Sequence, residues 1–126
     1  MLQSIARIRG DARKLIEALY EDTCTIYIRA PAVNAATGIT EYEERAVYTE
    51  LPCRLSFSDV PPAADGETPA IEGRVKLFLA PEIEAPPGCR FDVTRLGAVS
   101  SWERSGKAAR YATHQEIQVE AWKRWA

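Results

Sequence analysis

Between Val75 and Thr94 the chain reads VKLFLAPEIEAPPGCRFDVT, and few folds can accept such a stretch. Val75, Leu77 and Leu79 alternate with Lys76 and Phe78, and Cys89, Phe91 and Val93 alternate with Arg90, Asp92 and Thr94. A period of two puts each apolar set on one side of an extended strand. The nine residues between them, Ala80 to Gly88, include Pro81, Pro86, Pro87 and Gly88, whose fixed φ and missing N–H groups stop both helices and strands. The stretch therefore predicts strand, rigid crossing, strand, with a buried side that another β layer must cover.

The flanking segments offer that cover. Cys24, Ile26 and Ile28 alternate with Thr25, Tyr27 and Arg29, and after a turn-rich Pro31 to Gly38 the segment Thr40 to Tyr48 runs back as a hairpin partner with neither side strongly apolar. That second strand is expected to be exposed or at a sheet edge. Cys53, Leu55 and Phe57 form another half-buried strand just after Pro52. Arg95-Leu96-Gly97-Ala98 predicts a tight hairpin turn in which Gly97 takes a positive φ. Val99 to Arg104 returns, Ser105-Gly106 is expected to turn, Ala109 to Thr113 to begin a further strand, and Ile117, Val119 and Ala121 to continue the apolar phase. Trp122 and Trp125 break that phase, so that one indole packs on the sheet and the other is partly exposed.

Before the first strand, Leu2, Ile5, Ile8, Ala12, Leu15, Ile16 and Leu19 recur at three- and four-residue steps, the signature of one helical face. Gly10-Asp11 is expected to divide a loose first part from a firmer helix over 12–20, with Asp11 as N-cap. Arg7, Arg9, Arg13 and Lys14 make the opposite surface basic, suited to solvent, a neighbouring subunit or an acidic surface. Residues 58–73 carry three prolines, two glycines and the acids Asp59, Asp65, Glu67 and Glu72 without a base, a composition that predicts a long mobile loop, either functional or an idle insertion. The expected fold is thus mainly β: a small antiparallel β-barrel or sandwich with one N-terminal α-helix, in a single domain 1–126, with the helix over 1–20 and the β unit over 23–126.

A length of 126 residues suits one domain, and a net charge of −2 argues against a basic field that grips nucleic acid. Cys24, Cys53 and Cys89 are odd in number, far apart and each on the apolar phase of its strand, which predicts buried, reduced thiols and synthesis in the cytosol. No apolar run suggests an export signal or a membrane span. His114 is the only histidine; Ser101, Ser105, Asp92 and Glu116 are near it in sequence, yet none stands in a nucleophile elbow. Glu82 and Glu84 read as a solvated pair in the crossing rather than an acid–base couple. No phosphate-binding loop or cofactor motif occurs, so neither an enzyme nor a cofactor or metal site is expected. Tyr27, Phe78 and Trp102, with Arg29, Lys76 and Arg104, lie opposite the apolar phase and leave an oligonucleotide-binding barrel as a further alternative.

The segments ALYEDTCTIYI, LPCRLSF, VKLFLAPEIEAPPGCRFDVTRLG and YATHQEIQVEAWKRWA resemble the head-tail connector proteins of tailed phages and prophages, in particular the small head-closure or stopper members. The similarity spans residues 12–126 and lapses over 58–73. It implies a structural virion protein: a β-barrel subunit in a homo-oligomeric ring under the portal or adaptor ring, closing the DNA channel and facing the tail proteins. Packaged DNA would pass through without sequence-specific binding. The subunit, which could be a monomer in isolation, would assemble in the bacterial host cytoplasm and reside at the virion neck. The resemblance implies a structural or interface role for Tyr111, His114, Gln115 and Glu116, with Trp122 and Trp125 in the same terminal motif, and makes Asp59, Asp65, Glu67 and Glu72 candidates for a channel loop. A tail-terminator or tail-completion protein is the alternative within this setting.

Overall fold

A computed structural model describes residues 2–57 and 75–125. The helix α1 (Leu2–Glu17) leads into six strands: β1 (Asp22–Val33), β2 (Thr40–Phe57), β3 (Val75–Leu79), β4 (Arg90–Arg95), β5 (Ala98–Arg110) and β6 (Gln115–Ala121). They close into an antiparallel barrel in the order β1-β2-β3-β6-β5-β4. The expected mainly β fold is present, and of the two architectures foreseen it is the barrel. Closure leaves no open edge on the ring of strands itself.

The interior follows the predicted alternation except at two strand ends: Phe57 is 54% exposed, edge-on to Trp102, and Ala121 is exposed. Cys24 and Ile26, Cys53 and Leu55, Val75, Leu77 and Leu79, Phe91 and Val93, and Ile117 and Val119 all point inward and are buried. Each large aliphatic or aromatic side chain withdrawn from water contributes about 1.5–3 kcal/mol before entropy is counted. β5 adds only the half-buried Trp102 and Ala108 to this core. All three cysteines are buried free thiols, as their phase predicted.

Four boundaries differ from expectation. The segments Thr40 to Tyr48 and Cys53 to Phe57 are one strand, β2, which bends through register shifts opposite Cys24–Tyr27, with Glu50 at φ 49. Pro52 reads as a stop, but a bulged strand tolerates it. β1 likewise continues through Pro31 to Val33, and the reversal is confined to Asn34–Ile39, where the Ala36 N–H donates to Asn34 Oδ1 at 2.9 Å. Ser105-Gly106 lies in a bulge inside β5, where the four steps from Arg104 to Ala108 stand against the two steps from Val119 to Ile117. A Cβ on Gly106 would lie 2.5 Å from Gln118 Oε1, the free end of a flexible side chain that can swing aside. The turn expected there lies instead at Tyr111–His114, closed by the Tyr111 N–H donating to the His114 carbonyl at 2.8 Å, so Ala109 belongs to the end of β5, which stops at Arg110, rather than beginning a strand.

α1 is a single helix through Gly10, so Asp11 is interior and caps nothing, and the helix ends at Glu17 rather than Tyr20. Its last turn tightens through i→i+3 bonds from Leu19 and Tyr20 to Ile16 and Glu17. The expected Arg95–Ala98 turn is present, with Leu96 at φ 51 and Gly97 at φ 81, the two positive values of a type I′ hairpin.

The proline-rich crossing, Ala80 to Cys89, folds over the barrel end where β3 stops and β4 starts, with Ile83 and Ala85 against the core. Gln115 holds it there. This buried side chain donates from Nε2 to the Ala80 carbonyl at 2.8 Å and the Ile83 carbonyl at 2.6 Å. Such a buried amide is tolerated only because its hydrogen bonds are made. Gln115→Leu should leave both carbonyls short of a donor and cost about 2–3 kcal/mol, read as a lower urea midpoint with an unchanged m-value; an unaltered midpoint would remove Gln115 from this role.

Burial also sets the alkaline limit of the fold. The Cys89 thiol is pushed from 9.0 up to about 11 by desolvation, and the Tyr20 phenol from 10.0 to about 12, again chiefly by burial. Cys24 is raised further still, first by its hydrogen bond with Cys53 and then by burial. Above pH 9 the unfolded chain releases protons that the folded chain keeps, so stability falls as pH rises from 9 toward 12. Melting temperature should decline over that window, and native alkylation at pH 8 should label none of the three thiols while denatured protein takes up three labels.

Candidate functional site

The most heavily bonded polar side chain on the described surface is Arg90, which follows Cys89 at the start of β4 and points outward. Its Nη1 and Nη2 donate to Glu44 Oε1 and Oε2 at 2.6 and 3.0 Å, and its Nε donates to Asp92 Oδ1 at 2.9 Å. The guanidinium also lies over Tyr27, Trp122 and Trp125, at 4.8, 5.7 and 5.5 Å from the ring centroids. Trp125 Nε1 donates to Glu44 Oε1 at 3.1 Å, and the two indoles meet edge to face at 4.6 Å. Ser101 Oγ donates to Asp92 Oδ1 at 2.8 Å.

These contacts join five parts of the chain: β1 through Tyr27, the outer part of β2 through Glu44, β4, β5 through Ser101, and the segment after β6. A planar fork matched to two carboxylates and backed by aromatic faces is a demanding geometry that Lys cannot reproduce. The hydrogen bonds from Arg90 and Trp125 hold Glu44 below the usual carboxylate range, and Glu44 in turn raises Arg90. Both indoles are half-buried against each other, so the expected division into one packed and one exposed does not occur.

What the cluster anchors is the β1–β2 ribbon. β1 pairs with β4 only over Thr23–Tyr27, and β2 pairs with β3 only over Arg54–Phe57. Beyond those limits Ile28–Val33 and Thr40–Arg45 pair only with each other as a two-stranded ribbon, whose root packs Ile28 on the core and buries Ala30. Val33, Ile39 and Tyr42 on this ribbon are 69%, 60% and 61% exposed. Its outer edges carry unpaired backbone groups, the edge character expected of Thr40 to Tyr48.

A second grouping surrounds His114. The ring stacks between Tyr111 (4.9 Å) and Phe78 (5.7 Å), and its Nδ1 and Nε2 lie 3.0 and 3.3 Å from Thr113 Oγ1 and Glu116 Oε2. Glu116 is also 3.8 Å from Lys76. The sequence-derived candidates therefore do not form one site. Tyr111, His114 and Glu116 make an outer ladder at the start of β6, Gln115 faces the interior, and Trp122 and Trp125 belong to the Arg90 cluster at the far end of the strand. Asp59, Asp65, Glu67 and Glu72, with the expected loop 58–73, lie outside the described residues. Of the two crossing carboxylates, Glu82 pairs with Arg13 of α1, which lowers it below the usual range, while Arg13 also donates to Glu17 at 2.8 Å.

Arg90 and Glu44 were not singled out by sequence, and Tyr27 was singled out only as a possible base-stacking face. Their phase marked them only as outward, and residues 44 and 90 are brought together by closure of the barrel. Arg90→Lys should keep the charge but lose the paired geometry, costing about 2 kcal/mol with a red shift in tryptophan emission as the indoles loosen. Glu44→Gln should lower the melting temperature less than Arg90→Lys does. Equal, negligible effects on melting and emission would remove the cluster as an anchor.

No family model matches the chain, and no curated protein matches it. Among solved structures, it is similar to the phage-like element PBSX protein xkdH from Bacillus subtilis, at 9% identity and a TM-score of 0.46, over 79% of this chain and 93% of that one.

Proposed function

We propose that the chain is a structural subunit of the neck of a tailed phage or prophage, a head-tail connector of the head-closure type that joins a ring under the portal or adaptor. The observation that carries this is the β1–β2 ribbon. A two-stranded hairpin is marginal in water by itself, yet this one is fixed at its root by the Arg90–Glu44 pair and presents apolar side chains and free edges outward. A ribbon rooted in this way, with Val33, Ile39 and Tyr42 exposed toward its tip, suits attachment to a neighbour, and the motif resemblance supplies the setting. In that setting the partners are the portal or adaptor ring and the tail proteins, the subunit is built in the host cytoplasm, and it performs no catalysis.

The oligonucleotide alternative is weakened by its own residues. Base stacking needs free aromatic faces, but Tyr27 lies under Arg90, Phe78 is stacked by His114, and Trp102 meets Phe57 edge-on at 6.0 Å.

The test is deletion of the gene in an inducible lysogen, followed by electron microscopy and nuclease protection of the heads. A connector predicts filled heads that lose DNA and separate, normal-length tails, restored by the gene in trans. Heads that keep their DNA beside tails of irregular length would make the chain a tail terminator. Normal infectious particles would exclude both.

A further inference from the structure

We propose that the outer half of β2, Thr40–Val47, is a strand that opens on its own, parting from β1 between the reversal at Asn34–Ile39 and Glu50 while the barrel stays closed, and that Glu44 is the latch that holds it shut.

The two halves of β2 are held in different ways. The barrel half buries Cys53 and Leu55, whereas every residue from Thr40 to Val47 is exposed, on both faces of the ribbon. Between the halves the ladder is interrupted twice. Leu51, Tyr48 and Ala46 stand opposite Cys24, Ile26 and Tyr27, so β2 takes five steps where β1 takes three. Extra residues of this kind are left out of the ladder, and an interrupted ladder lets the segments on either side open separately. Glu50 sits in this interval at φ 49, a left-handed conformation that is unfavourable for a residue with a Cβ and that an open strand gives up. Its N–H donates to Thr25 Oγ1 at a long 3.4 Å.

β1 is fixed where β2 is not. Ile28 packs on the core and Ala30 is buried, so this strand of the ribbon stays in place when its partner leaves. Among the described residues, the side chains of Thr40–Val47 make hydrogen bonds or ion pairs past β1 at one point only. That point is Glu44, which accepts from Arg90 at 2.6 and 3.0 Å and from Trp125 at 3.1 Å. The Glu43–Arg45 pair lies within the strand, and Arg29, over the Tyr42 ring at 4.3 Å, belongs to β1. Both partners of Glu44 are held elsewhere, Arg90 by Asp92 and Trp125 against Trp122. Glu44 therefore sets how much of the time the ribbon is a closed hairpin. Opening of this strand is a property of the isolated chain, whatever it assembles with.

Hydrogen exchange on the full chain, read by mass spectrometry of its peptides, tests the latch. Amides of Thr40–Val47 that pair with β1 should exchange through openings more frequent than those of β3 and β6. Glu44→Ala should speed them about tenfold, and Glu44→Gln by less. Glu43→Ala, which removes a neighbouring exposed glutamate, should change them by no more than about twofold. Glu50→Asn, which accepts a positive φ, should slow them, and Glu50→Val should speed them. The amides of β3 and β6 should keep their rates in every variant. Exchange of Thr40–Val47 in step with β3 and β6 overturns the proposal, as does a rate in Glu44→Ala no faster than in Glu43→Ala. Acceleration of all strands alike in Glu44→Ala overturns it too, by making Glu44 a support of the whole barrel.

Discussion

Closure of β1 on β4 is the constraint from which the rest follows. These strands are separated by about half of the chain, and their pairing over Thr23–Tyr27 and Arg90–Thr94 closes the sheet into a barrel. It places Cys24 and Ile26 against Phe91 and Val93 in an interior with no solvent side. The same pairing brings Tyr27 beside Arg90, and thereby roots the ribbon. Non-local ladders of this kind are costly to close in entropy, and the dense apolar interior offsets that cost.

Two polar devices do what the core cannot. Gln115 ties the proline-rich crossing to the barrel from within, converting a segment unable to form a ladder into a fixed cover. Arg90 works from outside, where two carboxylates and three aromatic rings hold one guanidinium. Each depends on geometry rather than on charge alone, since an exposed ion pair by itself is worth little. Surfaces left uncovered, the outer stripe of α1 and the ribbon tip, are those that neither device nor core engages.

Extended strands with alternating burial were legible because a period of two survives any tertiary arrangement: every buried cysteine and every inward aliphatic from Val75 to Val93 follows from it. Strand ends were less so. Pro52 and Ser105-Gly106 carry the composition of turns, yet the pairing of β1 with β2 and of β5 with β6 absorbs them as bulges, since a partner strand on one side outweighs local preference. Gly10-Asp11 failed as a helix boundary for a related reason: one glycine costs about 1 kcal/mol, less than a continuous helix recovers.

What the sequence determined by itself is the set of segments and the side of each that must be dry, because hydrophobic period and turn chemistry are local properties. It determined too that the terminal motif would hold polar and aromatic residues of more than one kind. Only the tertiary structure decided which of them meet. His114 and Trp125 are near in sequence but stand at opposite ends of β6, and Gln115 turns inward between outward neighbours, while Glu44, Arg90 and Trp125 converge from three distant segments. Contacts of that separation arise from strand order and register, which depend on how the whole core closes and leave no trace in any single stretch of chain.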